Sequence, residues 1–150
     1  MFDIQPVDET EGEVLFEMVQ RYWAELMPHA PVVQDPSIRP AYFADEFRLG
    51  RPGHCLWWAM VNDERIGFAS VEVNRDWADQ PWAFVNDFYI EPAWRRQGHG
   101  RTLARTVIEW LKEQGITRID LHVRRDNPRA LAFWQSIGFD LASYRMRMYV

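Results

Sequence analysis

The chain has 150 residues and a formal net charge of −5, from 17 basic and 22 acidic side chains. This length suits one domain, residues 1–150, and the acidic balance argues against nucleic acid as the main partner. No apolar run approaches the roughly 20 residues of a membrane span, and the first residues lack the basic and apolar regions of a signal peptide. We therefore expect a cytoplasmic domain with no membrane partner. Its single cysteine, Cys55, excludes an internal disulfide.

The order of the predicted elements indicates a mixed α/β protein. They are a strand over 2–7, helices over 11–26 and 37–49, strands over 55–61, 66–73 and 82–90, a helix over 99–114, a strand over 116–123, a helix over 128–136 and a strand over 141–150. Apolar residues at three- and four-residue spacing indicate the helices, and alternation indicates the strands. In the last strand, for example, Tyr144, Met146 and Met148 alternate with Arg145 and Arg147. The pattern β-α-α-β-β-β-α-β-α-β is typical of a layered α/β fold.

The turn between the strand over 82–90 and the helix over 99–114 carries two arginines and two glycines, Arg95, Arg96, Gly98 and Gly100. Glycine allows a ligand to approach the backbone closely, and a helix N-terminus presents unpaired N–H groups. The turn therefore directs hydrogen-bond donors and positive charge to one point, as binding of a pyrophosphate requires. It lacks the Gly-Lys-Ser/Thr of the Walker pattern and the first glycine of the dinucleotide fingerprint.

This turn and a later segment resemble the two hallmarks of the GNAT superfamily of N-acetyltransferases. Residues 95–100 match the pattern Arg-x-x-Gly-x-Gly of its coenzyme A loop. Residues 127–139 match Asn-x-x-Ala-x-x-Phe-Tyr-x-x-x-Gly-Phe, except that Trp134 replaces the tyrosine. The resemblance covers about residues 55 to 140. It implies the α/β (α+β) acyl-CoA N-acyltransferase fold, with a mixed central sheet of about six to seven strands and about four helices around it.

The resemblance also implies acetyl-CoA as the acetyl donor and assigns its binding to three parts of the chain. The pantetheine arm lies along the strand before the turn, the pyrophosphate lies on the turn, and the second motif packs against the arm. The implied contacts are Phe88, Tyr89, Ile90, Arg95, Arg96, Gln97, Gly98, His99, Gly100, Arg101, Asn127, Phe133 and Trp134. The four histidines show no metal-ligand spacing, so no metal is expected.

Acetyl transfer to an amine needs a proton acceptor for the amine and a proton donor or a stabilising field for the leaving thiolate. Asp87 is the first candidate acceptor, because residues 86–90 resemble the Glu-Asp-Phe-aromatic-Val segment of polyamine acetyltransferases, and Glu72 is the second. The donor stays open, since Trp134 stands where many members have tyrosine and an indole does not titrate near neutral pH. The alternatives are Tyr144, Tyr89 and water.

The acceptor pocket is implied to lie against aromatic side chains of the first two helices, Tyr22, Trp23, Tyr42 and Phe43. The expected acceptor is a primary amine of a small molecule, such as an amino sugar, a polyamine or an amino acid derivative. A protein N-terminal or lysine acetyltransferase is one alternative, and a coenzyme A-binding module without catalysis is another. Many relatives pair through their last strands, which implies a homodimer. His122 lies on a strand that reads as buried and is expected to be a core histidine.

Overall fold

The computed structural model describes residues 1–30, 33, 35, 37, 47 and 50–150. The described strands are β1 (Phe2–Pro6), β2 (His54–Val61), β3 (Glu64–Arg75), β4 (Pro81–Ile90) and β5 (Ile119–Leu121). The described helices are α1 (Gly12–Leu26), α2 (His99–Glu113) and α3 (Pro128–Ile137), with short 3-10 turns at Glu9–Glu11 and Pro92–Trp94. The helix predicted over 37–49 lies for the most part outside the described residues. No described helix is long and apolar enough to cross a membrane.

The described strands form one mixed sheet in the order β1-β2-β3-β4-β5. The first four strands pair antiparallel with their neighbours, whereas β5 runs parallel to β4. The prediction of a mixed α/β layer fold is confirmed, with five strands in the described residues where six to seven were expected. The predicted strand over 141–150 is wrong, because this segment has no regular structure and is exposed throughout. Alternation alone does not form a strand when no neighbouring strand pairs with it.

The two faces of the sheet carry separate cores. On one face the strands pack against α2 through residues such as Val85 and Leu103, and on the other they pack against α1 through residues such as Phe68 and Leu15. β4 contributes to both cores, since Ile90 belongs to the first and Tyr89 to the second. The sheet is therefore the middle layer of three, and β4 lies between the two helical layers.

β4 contains a bulge at Asn86. Ser70 of β3 pairs with Asp87, while the next residue, Val71, pairs with Val85, so that Asn86 is an extra residue in β4. A bulge shifts the alternation of side chains by one residue. For this reason Asp87 points away from the α2 core that contains Val85 and toward the face covered by α1. Without the extra residue, Asp87 would face the α2 core.

β4 and β5 are paired at three residue positions only, from Ala83 opposite Ile119 to Val85 opposite Leu121. The predicted strand over 116–123 is correspondingly shorter than expected. Beyond Val85, β4 continues to pair with β3 as far as Ile90, but its other edge has no partner strand in the described part of the chain. The two parallel strands therefore diverge, and a slot opens between them at their carboxyl ends.

Candidate functional site

A cleft of about 1130 Å³ begins at this slot. The second half of β4, the end of α1 with the loop after it, the turn before α2, and the segment from β5 into α3 all contribute to its wall. Ligands of open α/β sheets bind where parallel strands end, which is the location of this cleft. The position follows from the bulge and the short β4–β5 pairing.

Aromatic rings form the apolar floor of the slot. Phe88 packs against Phe133 of α3 at a ring-centroid distance of 5.8 Å and against Trp134 at 4.9 Å. Trp134 is 9% exposed, so its indole is a packing surface in the wall. The backbone edge of residues 86–90 runs beside these rings, and its N–H and C=O groups on the β5 side have no strand partner among the described residues. An extended, partly apolar chain with amide groups would fit here.

The N-terminus of α2 opens onto the cleft without a cap. Gly98 occupies the N-cap position with a φ of 86°, and no side chain of the described residues caps the helix. The first N–H groups of a helix have no intrahelical acceptor, and here the series of backbone bonds begins with Thr102 N–H to the Gly98 carbonyl at 3.0 Å. An ideal Cβ at Gly98 would meet no atom within 4 Å, so the space before the helix is open. These donors and the helix dipole are suited to binding an anion, and we refer to this position as the anion site.

The arginines around this anion site differ in their partners. Arg95 is held by Glu25 of α1, with Nη1 2.7 Å from Oε1 and Nη2 2.8 Å from Oε2, and its Nε donates to the Ile90 carbonyl. Arg101 donates to the Ser136 hydroxyl at 2.9 Å. Arg96 is exposed, has a φ of 60°, and makes no ion pair with the described residues. Arg96 is thus the arginine best placed to bind an incoming anion.

Asp87 is the buried carboxyl group of the cleft. It is 7% exposed and accepts a hydrogen bond of 2.7 Å from the Ser70 hydroxyl, which is itself 8% exposed. Because of the bulge, it lies on the α1 face of β4 together with Tyr89. Asp87 lines the cleft beside the slot, and its carboxyl group lies on the side of the cleft that α1 covers.

Tyr89 is a poor proton donor for this site. Burial, followed by the nearby carboxylate of Glu91, raises the pKa of Tyr89 to about 12. Its hydroxyl lies 3.2 Å from Glu91, to which it donates, and Glu91 also accepts from Arg21 at 2.5 and 2.8 Å. A phenol held this way keeps its proton at neutral pH. Tyr89 therefore contributes to the wall and, through its backbone, to the free edge of β4.

The cleft brings together many of the residues singled out in the sequence. Its wall includes Tyr22, Asp87, Phe88, Tyr89, Ile90, Arg95, Arg96, Gly98, Gly100, Arg101, Asn127, Phe133 and Trp134. The side-chain oxygen of Asn127 also accepts the Ala130 N–H at 3.1 Å and so caps α3.

Other residues singled out in the sequence lie elsewhere. Glu72, Gln97 and His99 do not line the cleft. Trp23 is 2% exposed in the core beneath α1, and Tyr144 is 90% exposed in the irregular C-terminal segment. Tyr42 and Phe43 lie outside the described residues. Trp23 and Tyr144 therefore do not contribute to the wall of the cleft.

His122 lines the cleft although the sequence suggested a core residue. It is exposed, because β5 ends at Leu121 and His122 is the first residue after it. Its ring packs edge-on against Phe84 at 4.9 Å. The feature that could have identified His122 as a cleft residue is its position at the carboxyl end of a strand parallel to β4, where ligands bind in such sheets. Among the described residues, no group of three His, Cys, Asp or Glu side chains is arranged to hold a metal ion.

A family model described as Acetyltransferase (GNAT) family matches residues 15–139. Over 88 residues the chain is 37% identical to the ribosomal protein bS18-alanine N-acetyltransferase of Escherichia coli strain K12, a match covering 59% of this chain and 56% of that protein. The chain thus spans little more than half the length of that relative.

Two further relatives match over more of their length. The N-alpha-acetyltransferase RimI of Mycobacterium tuberculosis is 32% identical over 148 residues, which cover 98% of this chain and 87% of that protein. The solved structure of aminoglycoside N-acetyltransferase AAC(6′)-Iy in complex with CoA superimposes with a TM-score of 0.74 at 22% identity, covering 100% of this chain and 94% of that one. At this identity the structure establishes a shared fold.

Proposed function

Because the chain belongs to the acetyltransferase (GNAT) family, we propose that it transfers the acetyl group of acetyl-CoA to a primary amine, and that this amine is the N-terminal α-amine of a peptide or protein. The observation that carries the proposal is the divergence of β4 and β5 beside the uncapped N-terminus of α2. The slot and the anion site are adjacent parts of one cleft.

The residues present fit coenzyme A. A pyrophosphate would bind the free N–H groups at the start of α2, where Gly98 leaves open space, and Arg96 would add a charge-assisted hydrogen bond. The pantetheine arm, which carries amides on an apolar chain, would lie between the free edge of β4 and the rings of Phe88 and Phe133. Bound in this way, acetyl-CoA supplies an activated thioester.

The chain's own groups would orient the reacting atoms. Backbone N–H groups on the free edge near Phe88 can donate to a carbonyl oxygen placed in the slot and stabilise negative charge that develops there. Asp87, on the α1 face beside the slot, would attract the ammonium form of the acceptor. The burial of Asp87 lowers the local dielectric and strengthens that attraction.

The choice of an α-amine rests on the relatives. The Mycobacterium tuberculosis protein that matches nearly the whole chain is an N-alpha-acetyltransferase, and the Escherichia coli relative is named for acetylation of an alanine of a ribosomal protein. A small primary amine remains the second candidate, favoured by the fold shared with the aminoglycoside N-acetyltransferase.

Thermal unfolding with and without acetyl-CoA tests the first half of the proposal. A ligand at about 100 times its dissociation constant stabilises the folded state by about 2.7 kcal/mol, so the midpoint should rise with acetyl-CoA and not with NADH or ATP. No rise with acetyl-CoA would contradict the assignment of the cleft.

Thiol release tests the second half. The acceptors are a peptide with a free N-terminal alanine, the same peptide with an acetylated N-terminus as control, and an aminoglycoside. Release with the free peptide alone supports the α-amine, and release with the aminoglycoside alone supports a small-molecule acceptor. Cofactor binding without thiol release from any acceptor would identify a binding module and contradict the proposal.

We also propose that the chain forms a homodimer through its C-terminal segment. In support, Tyr144, Met146 and Met148 are between 83% and 92% exposed, which is unusual for three large apolar side chains in one segment. Sedimentation equilibrium of the full chain and of a chain ending at Asp140 would test this. A dimeric full chain and a monomeric truncated chain are expected, and a monomer in both cases would contradict the proposal.

A further inference from the structure

We propose that His122 is the general base of this site, so that its imidazole accepts the proton of the acceptor's ammonium group. The inference rests on the proposed function and specifies how the amine becomes nucleophilic. An imidazole changes its protonation state between pH 5 and 8, which suits a base that works near neutral pH. The α-amine of a peptide has a pKa of about 7.7–8.0, so a base of this strength suffices for it.

The position of His122 is set by the end of β5. Leu121 makes the last pair with β4, opposite Val85, and His122 follows where the two strands diverge. Its ring rests on Phe84, a residue that lies between Ala83 and Val85 of the α2 core and therefore points to the opposite, α1 face. Asp87 lies on that same face because of the bulge, so His122 and Asp87 stand on either side of the slot where the strands separate.

The other acidic groups of the cleft are engaged. Glu25 is held by both terminal nitrogens of Arg95, and Asp126 by Arg124 at 3.0 Å. The Arg124 guanidinium, through its hydrogen bonds, holds the pKa of Asp126 below its ordinary value, which makes that carboxylate a weaker base.

The cleft contains two other candidate proton acceptors, Asp87 and His29, and both are less suitable than His122. Asp87 accepts a hydrogen bond from Ser70 and is 7% exposed, which suits binding a cation better than releasing a proton to water. His122 is exposed and makes no hydrogen bond or ion pair with the described residues, so it can pass the accepted proton to solvent. The second histidine of the cleft wall, His29, lies on the loop after α1 and not on either of the two diverging strands.

Charged groups from each neighbouring element share the cleft with His122. On its own segment these are Arg124, paired with Asp126, and beyond them Arg129 at the start of α3. β4 contributes Asp87, and the α1 side contributes His29 and the Glu25–Arg95 pair. The anion site adds Arg96 and Arg101.

In the proposed reaction, His122 takes one proton from the ammonium, which leaves a lone pair on the amine nitrogen. That pair forms the new N–C bond to the acetyl carbonyl carbon, and the C–S bond breaks with its electron pair staying on sulfur. The nitrogen then loses its second proton, and the thiolate gains one. The net products are an acetamide, free thiol and the proton that His122 passes to water.

The test is the pH dependence of kcat at saturating acetyl-CoA and saturating alanine-terminated peptide, for His122→Gln, His122→Glu and a matched control. His54→Gln serves as the control, because it is the same substitution at the start of β2, outside the cleft wall. We expect kcat of His122→Gln to fall about 100-fold and to lose its low-pH limb, while acetyl-CoA still raises the unfolding midpoint. His122→Glu restores part of the rate, with the limb moved to lower pH.

Three outcomes would overturn the inference alone. These are a wild-type pH profile in an active His122→Gln, loss of the limb in His29→Gln instead, or a His122→Glu variant no more active than His122→Gln. If the unaltered protein binds acetyl-CoA but transfers acetyl to neither the peptide nor a small amine, the proposed function fails and the inference fails with it. The activity of the unaltered protein thus separates the two failures.

Discussion

Arg95 and Glu25 form a bidentate ion pair that joins the turn before α2 to the last turn of α1, with N–O distances of 2.7 and 2.8 Å. The pair spans the two walls of the cleft, and the Arg95 guanidinium also lies 5.4 Å from the centre of the Tyr89 ring. The side chains of Arg95 and Glu25 are 37% and 51% exposed, so the pair contributes at most about 1 kcal/mol to stability. Its larger effect is to neutralise a positive charge beside the anion site.

Replacement of Glu25 by glutamine should tighten acetyl-CoA binding. The change leaves the Arg95 charge uncompensated at the mouth of the cleft, so we expect a dissociation constant about threefold lower at low salt. Glu17→Gln is the control, because it removes the same charge from the exposed side of the same helix. Calorimetric titration with acetyl-CoA measures the dissociation constant at 20 mM and at 500 mM salt, where the Debye screening length is about 20 Å and about 4 Å respectively. Equal affinity of the two variants at low salt would contradict the electrostatic role.

Gly100→Leu should abolish cofactor binding without harming the fold. A Cβ at Gly100 meets Phe133 and Ile90 at 3.8–3.9 Å, which is ordinary contact, and the rest of the leucine would extend into the slot. Since leucine favours a helix more than glycine does, the unliganded midpoint should stay or rise. The stabilisation by acetyl-CoA should disappear.

Gly12→Leu is the control for this experiment. Gly12 is also helical, and a Cβ there meets nothing within 4 Å, but it lies at the start of α1 outside the cleft wall. Gly98 is a less suitable position, because its φ of 86° would strain any side chain and confound stability with binding. Normal acetyl-CoA stabilisation in Gly100→Leu would refute the slot as the cofactor path.

Asp87→Asn should raise the acceptor KM about tenfold and leave the acetyl-CoA KM within about twofold. An amide can still accept from Ser70 but cannot attract an ammonium, and a charge-assisted hydrogen bond contributes about 1.5–3 kcal/mol. Steady-state kinetics with the alanine-terminated peptide measures both constants. Asp63→Asn, in the exposed β2–β3 turn, is the matched control. A fall in kcat alone would assign Asp87 to the chemical step instead.

Glu11 should contribute stability that is lost in acid. The Asp8 N–H, the Trp58 indole and the Arg65 guanidinium all donate to its carboxylate, and they lower the pKa of Glu11 below its ordinary value of 4.5. A lowered pKa in the folded state means that the contribution is complete above pH 4.5 and declines as the pH falls through the folded value.

Urea unfolding of wild type and Glu11→Gln between pH 6 and pH 3 measures this contribution. The wild type should be more stable at the upper end, and the difference should shrink toward the lower end. Glu64→Gln, an exposed change in the same region of the sheet, should show no such trend. A constant difference across the range would contradict the linkage.

Local pattern predicted most elements of this chain but not their relations across the sheet. The predicted boundaries of α1, α2 and α3 lie within one or two residues of the observed ones, because the spacing of apolar residues and the capping residues are local features of the sequence. The turn before α2 was also found, since its glycines and arginines are adjacent in sequence. The partner of Arg95 was not predictable, because Glu25 is separated from it by 70 residues.

The errors have a common physical origin. His122 was expected in the core because its segment reads as a buried strand, but the pairing of β5 with β4 ends at Leu121. The alternation of residues 144–148 likewise predicted a strand for which the described chain offers no partner. Asp87 was singled out by resemblance, and the structure places it in the wall of the cleft, but the face it occupies depends on a bulge that no single-residue pattern reveals.

The extra residue at Asn86 also constrains how this sequence can diverge. Before it, the odd-numbered residues Ala83 and Val85 face α2. After it, the even-numbered residues Phe88 and Ile90 face α2, because the extra residue shifts the alternation by one. Losing or gaining one residue in β4 would exchange the polar and apolar faces of everything beyond it. Among homologous chains, insertions and deletions should therefore avoid 81–90 and collect in the segments on either side of the cleft. New acceptors would then be acquired by changing loop length around an unaltered strand.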